Sequence, residues 1–214
     1  KGTFWSPKGN YLAFYRKDES MVNDYPIVNW STDPATVKTI KYPMAGGKSH
    51  HVTLGVYDIN KNKTIYLKTE GPKDQYLTSV SWSPDEKYVY VGVLSRNQKE
   101  LKFNKYDAIS GDYVITVFEE KDERYVEPQH SLYFYNENPG EFIWLSQRDG
   151  FMHMYLYKND KFSKQLTKGN WLVNEILGYR NAGNEILFTS TKDGAMQKNV
   201  YSLDLKKLSI RTLS

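Results

Sequence analysis

The sequence predicts an all-β chain, a β-propeller of about four four-stranded blades. Three observations predict it. A strand–turn–strand motif occurs twice almost unchanged, like segments recur every roughly 40–50 residues, and apolar and polar residues alternate with the period of a strand. The motif is Phe4-Trp5-Ser6-Pro7-Lys8-Gly9-Asn10-Tyr11-Leu12-Ala13-Phe14, echoed by Ser81-Trp82-Ser83-Pro84-Asp85-Glu86-Lys87-Tyr88-Val89-Tyr90-Val91. Proline presets φ for a tight turn, and Lys8-Gly9-Asn10 and Asp85-Glu86-Lys87 are polar turn residues.

In chain order, the first unit opens with the 4–14 hairpin and continues in Gly55–Asn60 and Thr64–Leu67. The second opens at 81–91 and continues in Asn104–Asp107 and Tyr113–Thr116. In the third, Ser131–Phe134 leads through the turn Asn136–Gly140 to Phe142–Leu145, followed by Met154–Tyr157. In the fourth, Ile176–Tyr179 leads through Asn181-Ala182-Gly183-Asn184 to Ile186–Phe188, followed by Tyr201–Asp204. The markers Tyr57, Tyr106, Tyr157 and Leu203 are separated by steps of 49, 51 and 46 residues. A β-sandwich would explain short strands but not a fixed period. Blade-like units are expected at about 1–75, 76–124, 125–172 and 173–214. Four units make either a small ring or an arc of a larger one. A chain that opens almost at once into a strand at Lys1 and ends after one at Ser214 reads as an arc.

Composition narrows the function classes. The chain has 214 residues, no cysteine and a net charge of +4. There is neither a disulfide framework nor thiol chemistry. No apolar run is long enough to span a membrane as a helix. Lysine and arginine are scattered, whereas a nucleic-acid surface would want a basic stripe interleaved with exposed aromatics. No nucleic-acid partner is expected.

The step from Trp5 to Trp82 is 77 residues, against 52 from Trp82 to Phe134, so the first unit carries an insertion. It lies at about 18–50, with Tyr25, Ile27, Val28, Trp30 and Tyr42 as its large apolar residues. Pro26, Pro43 and the Gly46-Gly47 pair suggest an extended arm and not a helix. Either it folds back on its own blade or it protrudes and packs on a partner subunit.

Catalytic motifs fail on inspection. Gly47-Lys48-Ser49 ends like a phosphate-binding loop, but the glycine needed five residues earlier is Tyr42. The glycine that a nucleophile elbow needs after its serine is His51. His50 and His51 are adjacent and would face opposite sides of a strand. His130 and His153 stand alone. Glu119-Glu120 and Asp122-Glu123 read as a solvated loop. No complete active site, metal site or cofactor site is expected.

Several segments carry a family resemblance. The 4–14 hairpin, Tyr42-Pro43-Met44-Ala45-Gly46 before Val52-Thr53-Leu54, Tyr125-Val126-Glu127-Pro128, Asp149-Gly150-Phe151-Met152-His153 and Leu166–Trp171 follow in order over nearly the whole chain. Together they resemble the N-terminal propeller of bacterial dipeptidyl peptidase IV-like serine peptidases of the prolyl oligopeptidase class. The resemblance implies an arc of an eight-bladed propeller that caps an α/β-hydrolase domain. It implies a Ser-Asp-His triad beyond Ser214 and paired amine-binding glutamates before Lys1. It also implies a periplasmic or cell-envelope location, and an arm at Tyr25–Tyr42 that contributes to a homodimer. Arg124-Tyr125 matches an Arg–aromatic pair whose ring helps wall the substrate pocket. The second arginine that often follows is replaced here by Val126. Ordinary blade packing is the alternative role for Tyr125.

The resemblance implies a non-catalytic propeller portion that gates and helps bind the peptide of an exopeptidase releasing Xaa-Pro or Xaa-Ala dipeptides. A stand-alone protein-binding propeller is the alternative. Strand edges left open in an arc would favour self-association.

Overall fold

The computed structural model describes residues 2–181 and 183–214, with Asn136 described by its backbone. Lys1 and Ala182, the latter in the expected fourth-unit turn, lie outside the described residues. In chain order the strands are β1 (Thr3–Trp5), β2 (Tyr11–Asp18), β3 (Asp24–Asn29), β4 (Thr36–Lys41), β5 (His51–Asp58) and β6 (Lys63–Tyr66). Next come β7 (Tyr76–Trp82), β8 (Tyr88–Leu94), β9 (Glu100–Asp107) and β10 (Tyr113–Lys121). Then follow β11 (Tyr133–Phe134), β12 (Glu141–Ser146), β13 (His153–Lys158) and β14 (Lys161–Gln165). The last are β15 (Val173–Arg180), β16 (Glu185–Ser190), β17 (Asn199–Asp204) and β18 (Ile210–Thr212).

They form four four-stranded antiparallel sheets, β1-β2-β5-β6, β7-β8-β9-β10, β11-β12-β13-β14 and β15-β16-β17-β18, and one two-stranded sheet, β3-β4. The four-stranded sheets are the blades. Each is a meander, interrupted once, between β2 and β5, by the β3-β4 hairpin.

The turn chemistry explains the repeated motif. Ser6 Oγ accepts from the Tyr11 N–H at 2.9 Å, and Ser83 Oγ accepts from the Tyr88 N–H at 3.0 Å. The Gly9 N–H closes on the Ser6 carbonyl and the Glu86 N–H on the Ser83 carbonyl. Both closing residues have positive φ, 75° at Gly9 and 62° at Glu86. Ser95 repeats the device without a proline: its Oγ accepts from the Glu100 N–H at 3.0 Å, and Gln98 has φ 60°.

Three apolar clusters lie between the blades. Ala13, Leu54 and Val56 of the first meet Val89, Val91 and Tyr106 of the second. Tyr90, Leu101 and Phe103 meet Phe142, Trp144 and Tyr157 of the third. Ile143, Met154 and Leu156 meet Ile186, Phe188 and Tyr201 of the fourth. Strand alternation sends odd and even residues to opposite neighbours, so a central blade reads apolar on both faces.

The third blade departs from expectation at its first strand. Only Tyr133–Phe134 pairs with β12, and a 3-10 turn over Tyr135–Glu137 follows. The Tyr135 hydroxyl donates instead to the Gly183 carbonyl of the fourth blade, and the Tyr179 hydroxyl donates to the Phe134 carbonyl at 2.9 Å. These cross-blade bonds take the place of further strand pairing.

The insertion forms a hairpin. Every residue of β3 is exposed, as is every residue of β4 except the half-buried Ile40. Tyr25 packs on Tyr42 with ring centroids 5.5 Å apart.

Candidate functional site

Antiparallel meanders sort the connections onto two rims. The tight turns at 6–10 and 83–87 share one. The hairpin insertion and the loops at 67–75, 95–99, 122–132 and 147–152 share the other. Arg124, Tyr125 and the arm are therefore on the same rim.

The loop bearing Arg124 and Tyr125 is pinned at both ends. The Asp122 N–H donates to the Lys99 carbonyl at 3.1 Å, and the Val126 N–H donates to the Gln98 carbonyl at 2.7 Å. Asp122 Oδ1 accepts from the Arg124 N–H at 2.7 Å, an Asx turn that shapes the bend between the anchors. Val126 is buried in the cluster between the second and third blades. With Val126 turned in, Tyr125 turns out and is 55% exposed. Arg124 is exposed beside it.

Tyr125 walls a cavity of about 450 Å³ between the second and third blades. Its floor holds a polar cluster that sequence reasoning missed. Glu120 Oε1 accepts from the Trp144 indole N–H and from Arg148 Nη2, each at 2.8 Å. Arg148 Nη2 also reaches the Tyr157 hydroxyl at 3.0 Å, and Nε donates to Ser146 Oγ at 3.0 Å. The Arg148 guanidinium lies 4.3 Å from the centroid of Tyr155. Burial works against the charge on Arg148, but Tyr157 and Glu120 outweigh it and raise its pKa. Glu119-Glu120, expected in a solvated loop, instead closes β10, and the Glu120 side chain is only 12% exposed. A buried indole N–H and a half-buried guanidinium need an acceptor, and Glu120 is that acceptor. The sequence signal would have been a carboxylate at strand period facing a tryptophan, which becomes visible only once blades two and three are paired.

The arm residues Tyr25, Ile27, Val28, Trp30 and Tyr42 are all exposed, Trp30 by 81%. None of them lines the cavity beside Tyr125. His153 is fully buried, with Nδ1 3.1 Å from Thr167 Oγ1 and Nε2 2.9 Å from the Gly169 carbonyl, a structural role. Among the described residues no group of three or more His, Cys, Asp or Glu is placed to hold a metal. No helix among them is long and apolar enough to cross a membrane.

The family described as dipeptidyl peptidase IV (DPP IV) N-terminal region matches residues 1–214. The chain belongs to that family. Dipeptidyl aminopeptidase B of Saccharomyces cerevisiae is 27% identical over 222 residues, which cover 96% of this chain and 27% of the yeast protein. A Bacteroides ovatus protein assigned as a dipeptidyl aminopeptidase IV superposes with a TM-score of 0.91 at 40% identity, covering 98% of this chain and 32% of its own. Porphyromonas gingivalis dipeptidyl peptidase 4 superposes with a TM-score of 0.86 at 27% identity, covering 99% of this chain and 30% of its own. The chain thus spans about a quarter of the curated relative and about a third of each solved structure.

Proposed function

We propose that this chain is the substrate-gating part of the propeller of a serine-type dipeptidyl peptidase that releases Xaa-Pro or Xaa-Ala dipeptides. The hydrolysis belongs to an α/β-hydrolase domain of the same polypeptide that carries the Ser-Asp-His triad. The observation that carries the reading is Tyr125, an exposed ring on a loop pinned at both ends, at the mouth of a cavity on one propeller rim. A rigid flat apolar wall can hold a substrate side chain without ordering anything on binding. Arg124 adds a cation beside it, and the Glu120–Arg148 pair fixes the floor. The propeller would be an arc of eight blades divided into units at about 1–75, 76–124, 125–172 and 173–214. The exposed arm is read as a homodimer contact, and the protein as periplasmic or cell-envelope-associated.

The test is release of nitroaniline from Gly-Pro-nitroanilide by the full-length protein. Turnover is expected. Tyr125→Ala should raise KM by about 2–10-fold with little change in kcat, because a wall binds ground state and transition state alike. No turnover by the full-length protein would remove the peptidase reading and favour a protein-binding scaffold.

A further inference from the structure

A second cavity, about 340 Å³ in volume, opens at the foot of the arm between the first and second blades. No role proposed above uses it. Its floor is apolar: Tyr15 and Val52 come from the first blade, Tyr76 and Leu77 from the second. The two sides are stitched by the Tyr15 hydroxyl, which donates to the Leu77 carbonyl at 3.0 Å. The floor is therefore preformed.

Arg96 stands at the rim. Its Nη1 donates to the Tyr76 hydroxyl at 2.6 Å, and its guanidinium lies 5.0 Å from the centroid of the same ring. These contacts tether the guanidinium to the Tyr76 ring. Its remaining donors meet no protein acceptor among the described residues, and Arg96 makes no ion pair there within 4 Å, although Asp74 lines the same cavity. Lys17, also at the rim, is paired with Glu19 at 2.6 Å. Burial and the nearby Lys17, Arg96 and His51 outweigh Glu19 and hold the pKa of His50 below its ordinary value. Arg96 is thus the cation of this cavity that makes no ion pair within 4 Å among the described residues.

We propose that this cavity is a binding site for small carboxylates with an apolar body, the body on the Tyr15–Val52–Tyr76–Leu77 floor and the carboxylate on Arg96. A concave, mostly apolar pocket with a few convergent polar groups is the usual form of a small-molecule site. A planar guanidinium anchored at one nitrogen by a hydrogen bond keeps donors free for bidentate recognition of a carboxylate. The carboxylate could come from a free aromatic acid or from a peptide C-terminus.

The experiment is calorimetric titration of the chain, and of the full-length protein bearing it, with 3-phenylpropionate, its amide, and N-acetyl-glycyl-phenylalanine. The acid should bind at least about tenfold tighter than the amide, the worth of a charge-assisted hydrogen bond. Arg96→Met should reduce the acid to the level of the amide, Arg96→Lys should restore part of the difference, and Asp74→Asn should tighten the acid while leaving the amide unchanged. Tighter binding of the peptide than of 3-phenylpropionate would assign the source to a peptide C-terminus. Equal binding of the two would assign it to a small acid. Equal affinity for acid and amide, or no heat from any of the three, would overturn the proposal. So would an Arg96→Met variant of unchanged circular dichroism that binds the acid as well as the parent.

Discussion

Trp5 and Trp82 hold the same place in the same motif, each before a Ser-Pro turn, yet Trp5 is 62% exposed and Trp82 only 7%. The Trp82 indole N–H crosses to the Phe4 carbonyl of the first blade at 3.0 Å, and its ring stacks on Tyr11 at 5.8 Å. The turns that follow differ in the same way. Glu86 stands where the first copy has Gly9. Its two carboxylate oxygens accept from the Lys8 N–H and from Asn10 Nδ2, each at 2.7 Å. Trp82 and Glu86 of the second copy each bond to the first, whereas Trp5 and Gly9, at the same places in the first copy, make no side-chain bond to another blade among the described residues. A repeated sequence thus secures a repeated backbone, while the worth of each side chain depends on the blade beside it.

The largest expected difference is between the two tryptophans. Trp82→Ala should lower unfolding stability by about 3–5 kcal/mol, since it empties a packed interface and removes the indole bond to the Phe4 carbonyl. Trp5→Ala should cost under about 1 kcal/mol. Urea melts of both variants decide it, and equal losses would mean that the motif itself, and not its neighbour, sets the energy.

Glu86 comes next. Glu86→Ala should cost about 1–3 kcal/mol, because a backbone N–H and an amide lose a charged acceptor. Burial disfavours its charge, but hydrogen bonds from Ser6, Asn10 and Lys8 win and hold its pKa below the ordinary value. A depressed folded pKa gives stability that is present above the unfolded pKa of about 4.3 and is lost as pH falls through the folded value. Melts between neutral pH and about pH 3 should therefore show an acid loss that Glu86→Gln flattens. An unchanged acid limb in that variant would remove the assignment.

The reciprocal exchange should be milder. Gly9 has φ 75°, and a Cβ there would meet nothing within 4 Å. Gly9→Glu then carries only backbone strain, about 1 kcal/mol, with no partner to recover it. The smallest effect is expected in the arm, where Trp30→Ser should change monomer stability by less than about 0.5 kcal/mol. If the arm holds a dimer, the same variant of the full-length protein should shift toward monomer in light scattering.

Local chemistry made much of the fold readable. Alternation at Tyr88–Val91 and the Ser-Pro turns identify strands from a few neighbouring residues, because proline and the serine hydroxyl act within five positions of themselves. The arm was legible as extended from its prolines and glycines, but its register, Tyr25 opposite Ile40 and Val28 opposite Val37, required both strands. The engagement of Glu120 is illegible in the sequence for a similar reason. Nothing between Glu119 and Glu123 announces that Trp144 and Arg148, more than twenty residues away, will close on it.

The strands, the turns and the repeat of this propeller follow from the chain alone, since each rests on backbone geometry and side chains within a few residues. Which tryptophan is buried, which carboxylate is engaged, and where cavities open beside Tyr125 and Arg96 depend on how blades pack. Those outcomes join residues tens of positions apart, from Tyr15 to Arg96 and from Glu120 to Arg148. Contacts of that range leave no periodic trace in the sequence, because either partner is compatible with its own strand whether or not the other is present.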